Sequence, residues 1–105
     1  DRLIVDEVRP DGTTVKASRR LWPMTEAIKC NLAEARLGRP ESLENALALI
    51  EAMHDRFLGG APRGGWIDRL GEDGSRLGDF MPATSLYHLA GAVDEISRFA
   101  AASRI

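Results

Sequence analysis

The feature that most constrains the fold of this chain is a pattern that occurs twice along it. Asp11-Gly12 is followed by Trp22-Pro23, and Asp73-Gly74 is followed by Met81-Pro82. Asp-Gly is a strong signal for a tight β-turn. Proline suits the first turn of a helix, because the N–H that it lacks would be unbonded there. The repeat therefore predicts two units in which a β-hairpin precedes a helix, and such units bury a core by stacking on neighbours.

Helical periodicity predicts three helices, at about residues 24–37, 41–57 and 83–102. The first is apolar on two sides and is expected to be mostly buried; one side carries Trp22, Cys30, Ala33 and Leu37, and the other Ile28, Leu32 and Ala35. The second has a single apolar face, which predicts an outer helix; the face consists of Leu43, Leu47, Ile50, Met53 and Phe57. The third is expected to bury Leu86, Leu89, Val93, Ile96 and Ala100.

Composition excludes several classes of function. With 105 residues, 44% hydrophobic and 29% charged, the chain has the make-up of one globular domain. Its net charge of −2 and the lack of a basic stripe argue against nucleic acid as a partner, and no run is long enough to span a membrane. The single Cys30 favours a reducing, cytoplasmic setting. No metal-ligand spacing and no phosphate-binding glycine pattern is present, so no metal and no cofactor are expected.

Two titratable residues are candidates for catalysis. Glu26 falls in the first turn of the predicted first helix, on a face shared with uncharged residues. It either complements the helix dipole or serves a substrate-binding or acid–base role. His88 lies about one turn into the third helix, where the positive helix terminus favours a neutral imidazole that can act as a general base. Taken alone, such a histidine is more often a structural residue. His54, near the polar side of the second helix, is assigned no function.

Two further residues are candidates for substrate binding. Trp22 precedes Glu26 and either stacks on a sugar face or fills the core. Arg20 either belongs to a solvated basic pair with Arg19 or holds a substrate hydroxyl or phosphate group.

Three segments resemble a known family. Residues 20–26 (RLWPMTE) resemble the RLWPQTE segment of the N-acylglucosamine 2-epimerase and mannose isomerase family, residues 64–68 (GGWID) its GGWFD hairpin, and residues 81–89 (MPATSLYHL) its MPATTLYHL segment. The resemblance covers nearly the whole chain but only the last part of the longer family members. Met24 departs from the usual glutamine, which leaves the identity of the sugar open.

The resemblance implies an all-α fold: three helices with β-hairpin loops that form the C-terminal part of an (α/α)6 toroid. Residues 1–105 would be a C-terminal fragment of one catalytic domain, inactive alone, that self-associates or requires the missing N-terminal portion. It also implies proton transfer at C2 of a monosaccharide such as mannose, mannose 6-phosphate or N-acylglucosamine. The residue matching His88 is one of two acid–base histidines, and those matching Glu26, Trp22 and Arg20 lie at the sugar site, so that Glu26 and His88 are expected to open onto one cleft.

Two alternatives remain open from the sequence. A glycoside hydrolase needs two carboxylates, and Glu26 could be paired with Asp68 or Asp79. A non-catalytic helical interaction module would need no particular residue at position 26 or 88. Epimerase and isomerase are not separable, because both need the same acid–base groups.

Overall fold

The computed structural model describes residues 2–103, which form three strands and three α-helices. The strands are β1 (Val5–Val8), β2 (Thr14–Arg20) and β3 (Arg69–Leu70). The helices are α1 (Leu21–Arg36), α2 (Pro40–Met53) and α3 (Ala83–Ala102), and α2 continues into a π-helical turn at His54–Leu58.

The strands form one antiparallel sheet in the order β1-β2-β3. The first hairpin turns at Gly12, whose φ of 89° is the left-handed conformation that glycine adopts without strain. The second hairpin is joined to the same sheet, because Arg19 pairs with Leu70 and Arg20 with Arg69. Both expected hairpins are therefore present, but they share one sheet and are not two separate loops.

The prediction of an all-α chain is wrong, because the described residues are 54% helical and also contain this three-stranded sheet. The physical reason is the length of β2. Its extended backbone continues to Arg20, where β3 supplies the hydrogen bonds that its edge would otherwise lack. The three helices themselves are confirmed, and α3 has the predicted bounds.

Helix α1 begins at Leu21, directly after β2, rather than at residue 24. Pro23 is accommodated in the first turn, where N–H groups have no partner within the helix. The earlier start places Glu26 in the second turn. The interpretation that Glu26 complements the helix terminus is therefore wrong. The effect of the helix terminus expected for His88 fails for the same reason, because His88 is likewise the sixth residue of α3.

The core lies where α1 packs between α2 and α3 and against the sheet. The buried face of α1 consists of Leu21, Met24, Thr25, Ile28 and Leu32. Phe57, on the π-helical turn, is fully buried, as are Ala46 of α2 and Ala92 of α3. Ile67 and Leu70 close the core from the second hairpin.

Some of the predicted apolar faces are not buried. On α1, the side with Trp22, Cys30 and Leu37 is exposed. On α2 and α3 the predicted faces are buried only in part. Met53 and Phe57 are buried, and Ile50, Leu89 and Ile96 pack against the core, whereas Leu43, Leu47, Leu86 and Val93 are exposed. At the neighbouring positions small residues are buried, namely Ser42, Ala46, Ser85 and Ala92. Within residues 2–103, no helix combines the length and the hydropathy needed to cross a membrane.

Candidate functional site

Glu26 and His88 lie side by side between α1 and α3. Each is in the second turn of its helix, and Nδ1 of His88 is 3.3 Å from Oε2 of Glu26. Their side chains are 41% and 28% exposed, respectively, so both are reachable from solvent while being held by the helices. A contact from Nδ1 leaves Nε2 as the ring nitrogen available to a ligand.

The same oxygen of Glu26 has two further contacts. Lys29, one turn along α1, places Nζ 2.7 Å from Oε2, and the hydroxyl of Thr25 lies 3.4 Å from it. Thr25 itself is fully buried and donates to the carbonyl of Trp22 at 2.6 Å. Burial alone would raise the pKa of Glu26, but hydrogen bonds from Lys29 and His88 and their positive charges outweigh it and lower that pKa. Glu26 is therefore a carboxylate at neutral pH.

Trp22 and Arg20 extend the site beyond the pair. The Trp22 ring lies 5.4 Å from the His88 ring, centroid to centroid, with an angle of 34° between the planes. The Arg20 guanidinium lies 5.7 Å from the Trp22 ring centroid, within range of a cation–π contact. Trp22 is 38% exposed, so its ring is a surface beside His88 rather than a core residue.

Asp6 on β1 holds Arg20 in this position. Its carboxylate accepts a 2.8 Å hydrogen bond from Nε of Arg20 and a 2.6 Å bond from the hydroxyl of Ser18. Burial would raise the pKa of Asp6, but the bonds from Ser18 and Arg20 and the charges of Arg20 and Arg69 lower it. The sheet thus orients a side chain of the candidate site.

Asp68 ties together the beginnings of the two helices that carry the pair. Its carbonyl accepts a 2.9 Å hydrogen bond from the N–H of Leu21, the first residue of α1. Its carboxylate accepts a 2.5 Å bond from the hydroxyl of Ser85, which is buried in the first turn of α3. One residue of the second hairpin therefore fixes how α1 and α3 start relative to each other.

The structure thus brings together all four residues predicted from the sequence: Arg20, Trp22, Glu26 and His88. That Glu26 and His88 open onto one shared cleft stays a prediction. Two cavities of the described region, about 300 and 270 Å³, are lined by neither Glu26 nor His88. The smaller one includes Arg20 and Asp68. The pair lies on an open face between the helices.

The other candidates have different surroundings. Asp68 is bonded to Ser85, and Asp79 is exposed in the loop before α3, so neither contacts Glu26 as a second carboxylate. His54 is exposed, and its Nδ1 lies 3.2 Å from the carboxylate of its neighbour Asp55. Among residues 2–103, no group of three or more His, Cys, Asp or Glu side chains is placed to hold a metal ion.

Sequence reasoning missed three contributors to the site: Lys29, Asp6 and Ser85. Lys29 had a usable signal, since a lysine three residues after a glutamate on a helix commonly pairs with it. No sequence signal points to Asp6 or Ser85, because their partners depend on the register of the sheet and on the position of the second hairpin.

Comparisons with known proteins give two matches. A family model described as N-acylglucosamine 2-epimerase (GlcNAc 2-epimerase) matches residues 2–92. A mannose-6-phosphate isomerase of Rhizobium meliloti (strain 1021) is 32% identical over 97 residues, which cover 90% of this chain and 25% of that protein. The chain therefore spans about a quarter of the length of this curated relative. No solved structure matches the chain.

Proposed function

Because the chain belongs to the N-acylglucosamine 2-epimerase family, we propose that it carries one acid–base group of a sugar epimerase or isomerase, and that this group is His88. The observation that carries the proposal is the contact between Nδ1 of His88 and the Glu26 carboxylate. Since Nδ1 makes this contact, Nε2 is the nitrogen left for a substrate, on a ring that lies beside an exposed tryptophan.

In the proposed reaction, His88 moves a proton at C2 of an open-chain sugar. Nε2 takes the C2 proton, the electrons of the C–H bond form the C1–C2 double bond, and the aldehyde oxygen takes a proton to give an enediol. Return of a proton to the opposite face of C2, with loss of the proton on O1, gives the epimer. Protonation at C1, with loss of the proton on O2, gives the ketose. Neither outcome changes the overall oxidation state of the sugar.

Glu26 contributes by accepting a hydrogen bond from the Nδ1–H group of His88. An ionised carboxylate at this position favours the tautomer in which Nε2 has a free lone pair, which a general base requires. It also stabilises the imidazolium that forms when His88 takes the proton. Its exposed fraction leaves room for a sugar hydroxyl to donate to the same carboxylate.

Trp22 and Arg20 are proposed to bind the substrate. An exposed indole ring beside the base offers an apolar face on which a sugar can stack. Arg20 has its Nε committed to Asp6, and its remaining N–H groups can donate to a hydroxyl or phosphate oxygen.

The substrate class is a monosaccharide such as mannose, mannose 6-phosphate or N-acylglucosamine. The name of the relative from Rhizobium meliloti supports the phosphorylated sugar. Since the chain spans about a quarter of that relative, we take it as one part of a longer cytoplasmic catalytic domain. The second acid–base group would come from the remainder of the protein, which the exposed Leu86 and Val93 of α3 would help to bind.

A direct test is to assay the full-length protein with these three sugars and follow the products by NMR. Conversion of an aldose to its C2 epimer or its ketose, abolished in a His88→Ala variant that remains folded, would support the proposal. Release of a new reducing end from an oligosaccharide, with no change at C2, would assign the protein to glycoside hydrolysis instead.

A further inference from the structure

The ammonium group of Lys29 lies within the same cluster as the proposed base. It is 2.7 Å from Oε2 of Glu26, the oxygen that His88 also contacts at 3.3 Å. The Lys29 side chain is 29% exposed, so its charge is only partly screened by solvent. The Lys29 ammonium group thus contacts the Glu26 carboxylate, which in turn contacts the His88 imidazole across the α1–α3 interface.

Helix α3 leaves room for this ammonium group. A Cβ atom built at Gly91 would lie 3.7 Å from Nζ of Lys29. Gly91 is one turn after His88, just as Lys29 is one turn after Glu26. The lysine therefore lies against the backbone of α3 instead of extending into solvent, in a place that a longer side chain at position 91 would occupy.

We propose that Lys29 is a positioning residue that limits how strongly Glu26 holds a proton on His88. A lone carboxylate beside an imidazole stabilises the imidazolium, and a base that is already protonated cannot remove a proton from C2. A cation on the same carboxylate oxygen offsets part of that stabilisation. Lys29 would thereby weaken the hold of the Glu26 carboxylate on that proton while Glu26 still fixes the ring. This role rests on the proposed function, but the charge effect itself can be measured without any sugar.

The charged and titratable groups around His88 are few in the described region. Glu26 and Lys29 come from α1, and Tyr87 precedes His88 on α3, with its ring 5.6 Å from the imidazole. Arg20 lies on the other side of Trp22. Of these, only Lys29 contacts the carboxylate that contacts the ring, so removal of its charge is the change that isolates the proposed effect.

The test follows the His88 ring signals by NMR against pH in the 105-residue chain. Lys29→Met removes the charge and keeps the length of the side chain. We expect the pH midpoint of the His88 signal to rise by roughly 0.5–1 pH unit, as for a cation removed at short range in a partly exposed site. Lys29→Arg is expected to restore the original midpoint.

Arg36→Met is the matched control. Arg36 also joins α1 to α3, through a 3.0 Å ion pair with Glu95, but it lies at the far end of α1. The account requires that this variant leave the His88 midpoint unchanged. An unchanged midpoint in Lys29→Met, or equal shifts in Lys29→Met and Arg36→Met, would overturn the proposal and leave Lys29 as an ordinary ion-pair residue.

A second readout uses the full-length protein. In Lys29→Met, the acid limb of its kcat/KM profile is expected to move to higher pH, by the same number of pH units as the midpoint of the His88 ring signal. KM at high pH is expected to change little. If the protein has no epimerase or isomerase activity, the proposed function fails but the ring titration can still support the charge effect. If activity is present but neither the ring titration nor the kcat/KM profile moves in Lys29→Met, the proposed role of Lys29 is wrong and the proposed function is unaffected.

Discussion

Oε2 of Glu26 and Nδ1 of His88 are 3.3 Å apart, although the two residues are separated by 62 positions in the sequence. The contact joins α1 to α3 at the second turn of each helix. It gives the carboxylate and the imidazole a defined relationship, in which Glu26 holds Nδ1; in the proposed function, Nε2 is left for a substrate.

The role of His88 can be tested by substitution in the full-length protein. His88→Ala is expected to lower kcat by about 10²–10⁴-fold, the usual contribution of a positioned acid–base group. KM should change less, because the base acts mainly in the transition state. His54→Ala, which removes the exposed histidine, is the control and should retain wild-type kinetics. Equal losses in the two variants would contradict the assignment.

The role of Glu26 predicts a different pattern. Glu26→Gln removes the negative charge and keeps the size of the side chain, so the ring loses its anionic acceptor and a sugar hydroxyl loses a carboxylate. We expect both kcat to fall and KM to rise, measured by steady-state kinetics on the full-length protein. Glu95→Gln, at the other α1–α3 ion pair, is the control. A variant with unchanged KM would restrict Glu26 to orienting the ring.

The ion pair between the buried Asp6 carboxylate and the partly exposed Arg20 predicts a pH-dependent stability. The pKa of Asp6 is lowered in the folded chain, so its contribution is fully present above the ordinary Asp pKa and is lost as pH falls through the lowered value. Asp6→Asn should reduce the free energy of unfolding by about 1–3 kcal/mol at pH 7, because its side chain is almost completely buried.

Urea unfolding at several pH values measures this effect. The difference between Asp6→Asn and wild type should shrink as pH drops below about 4. Asp94→Asn, which breaks an exposed pair with Arg98, serves as the control and should change stability little at any pH. A difference for Asp6→Asn that is constant with pH would mean that packing, not charge, is responsible.

The hydrogen bond between Ser85 and Asp68 is expected to contribute to the free energy of unfolding. Ser85→Ala removes a buried donor to the Asp68 carboxylate and should destabilise the chain by about 1–2 kcal/mol in thermal or urea unfolding. Ser97→Ala, at an exposed position of the same helix, should have almost no effect. If the link also sets the spacing of α1 and α3, Ser85→Ala will weaken the NMR signature of the Glu26–His88 contact. Equal stability of the two serine variants would contradict this.

The family could be predicted from the sequence, and the match to residues 2–92 confirms it. That Glu26 and His88 lie at the same end of the helices was also predictable, because each follows a proline-marked helix start within two turns. The fold class was predicted wrongly. The prediction treated the two hairpins as loops, whereas β2 is long enough to pair with β3 and join them in one sheet.

The buried faces of α2 and α3 were predicted only in part. The periodicity of large apolar residues pointed to Leu47 and Val93, but the neighbouring Ala46 and Ala92 are the fully buried residues. Hydrophobic patterns weight large side chains, whereas helix packing at short distance selects small ones. The Asp6–Arg20 and Asp68–Ser85 contacts depend on three-dimensional register, which no local pattern of residues specifies.

The most direct test of the central claim is exchange of the C2 proton of the sugar with solvent. The full-length protein is incubated with mannose 6-phosphate in D₂O, and loss of the C2–H signal is followed by ¹H NMR alongside product formation. The account predicts deuterium at C2 or C1 with wild type, and a rate about 10²–10⁴-fold lower with His88→Ala. Exchange at the wild-type rate in a folded His88→Ala variant would show that another group moves this proton, and would contradict the account.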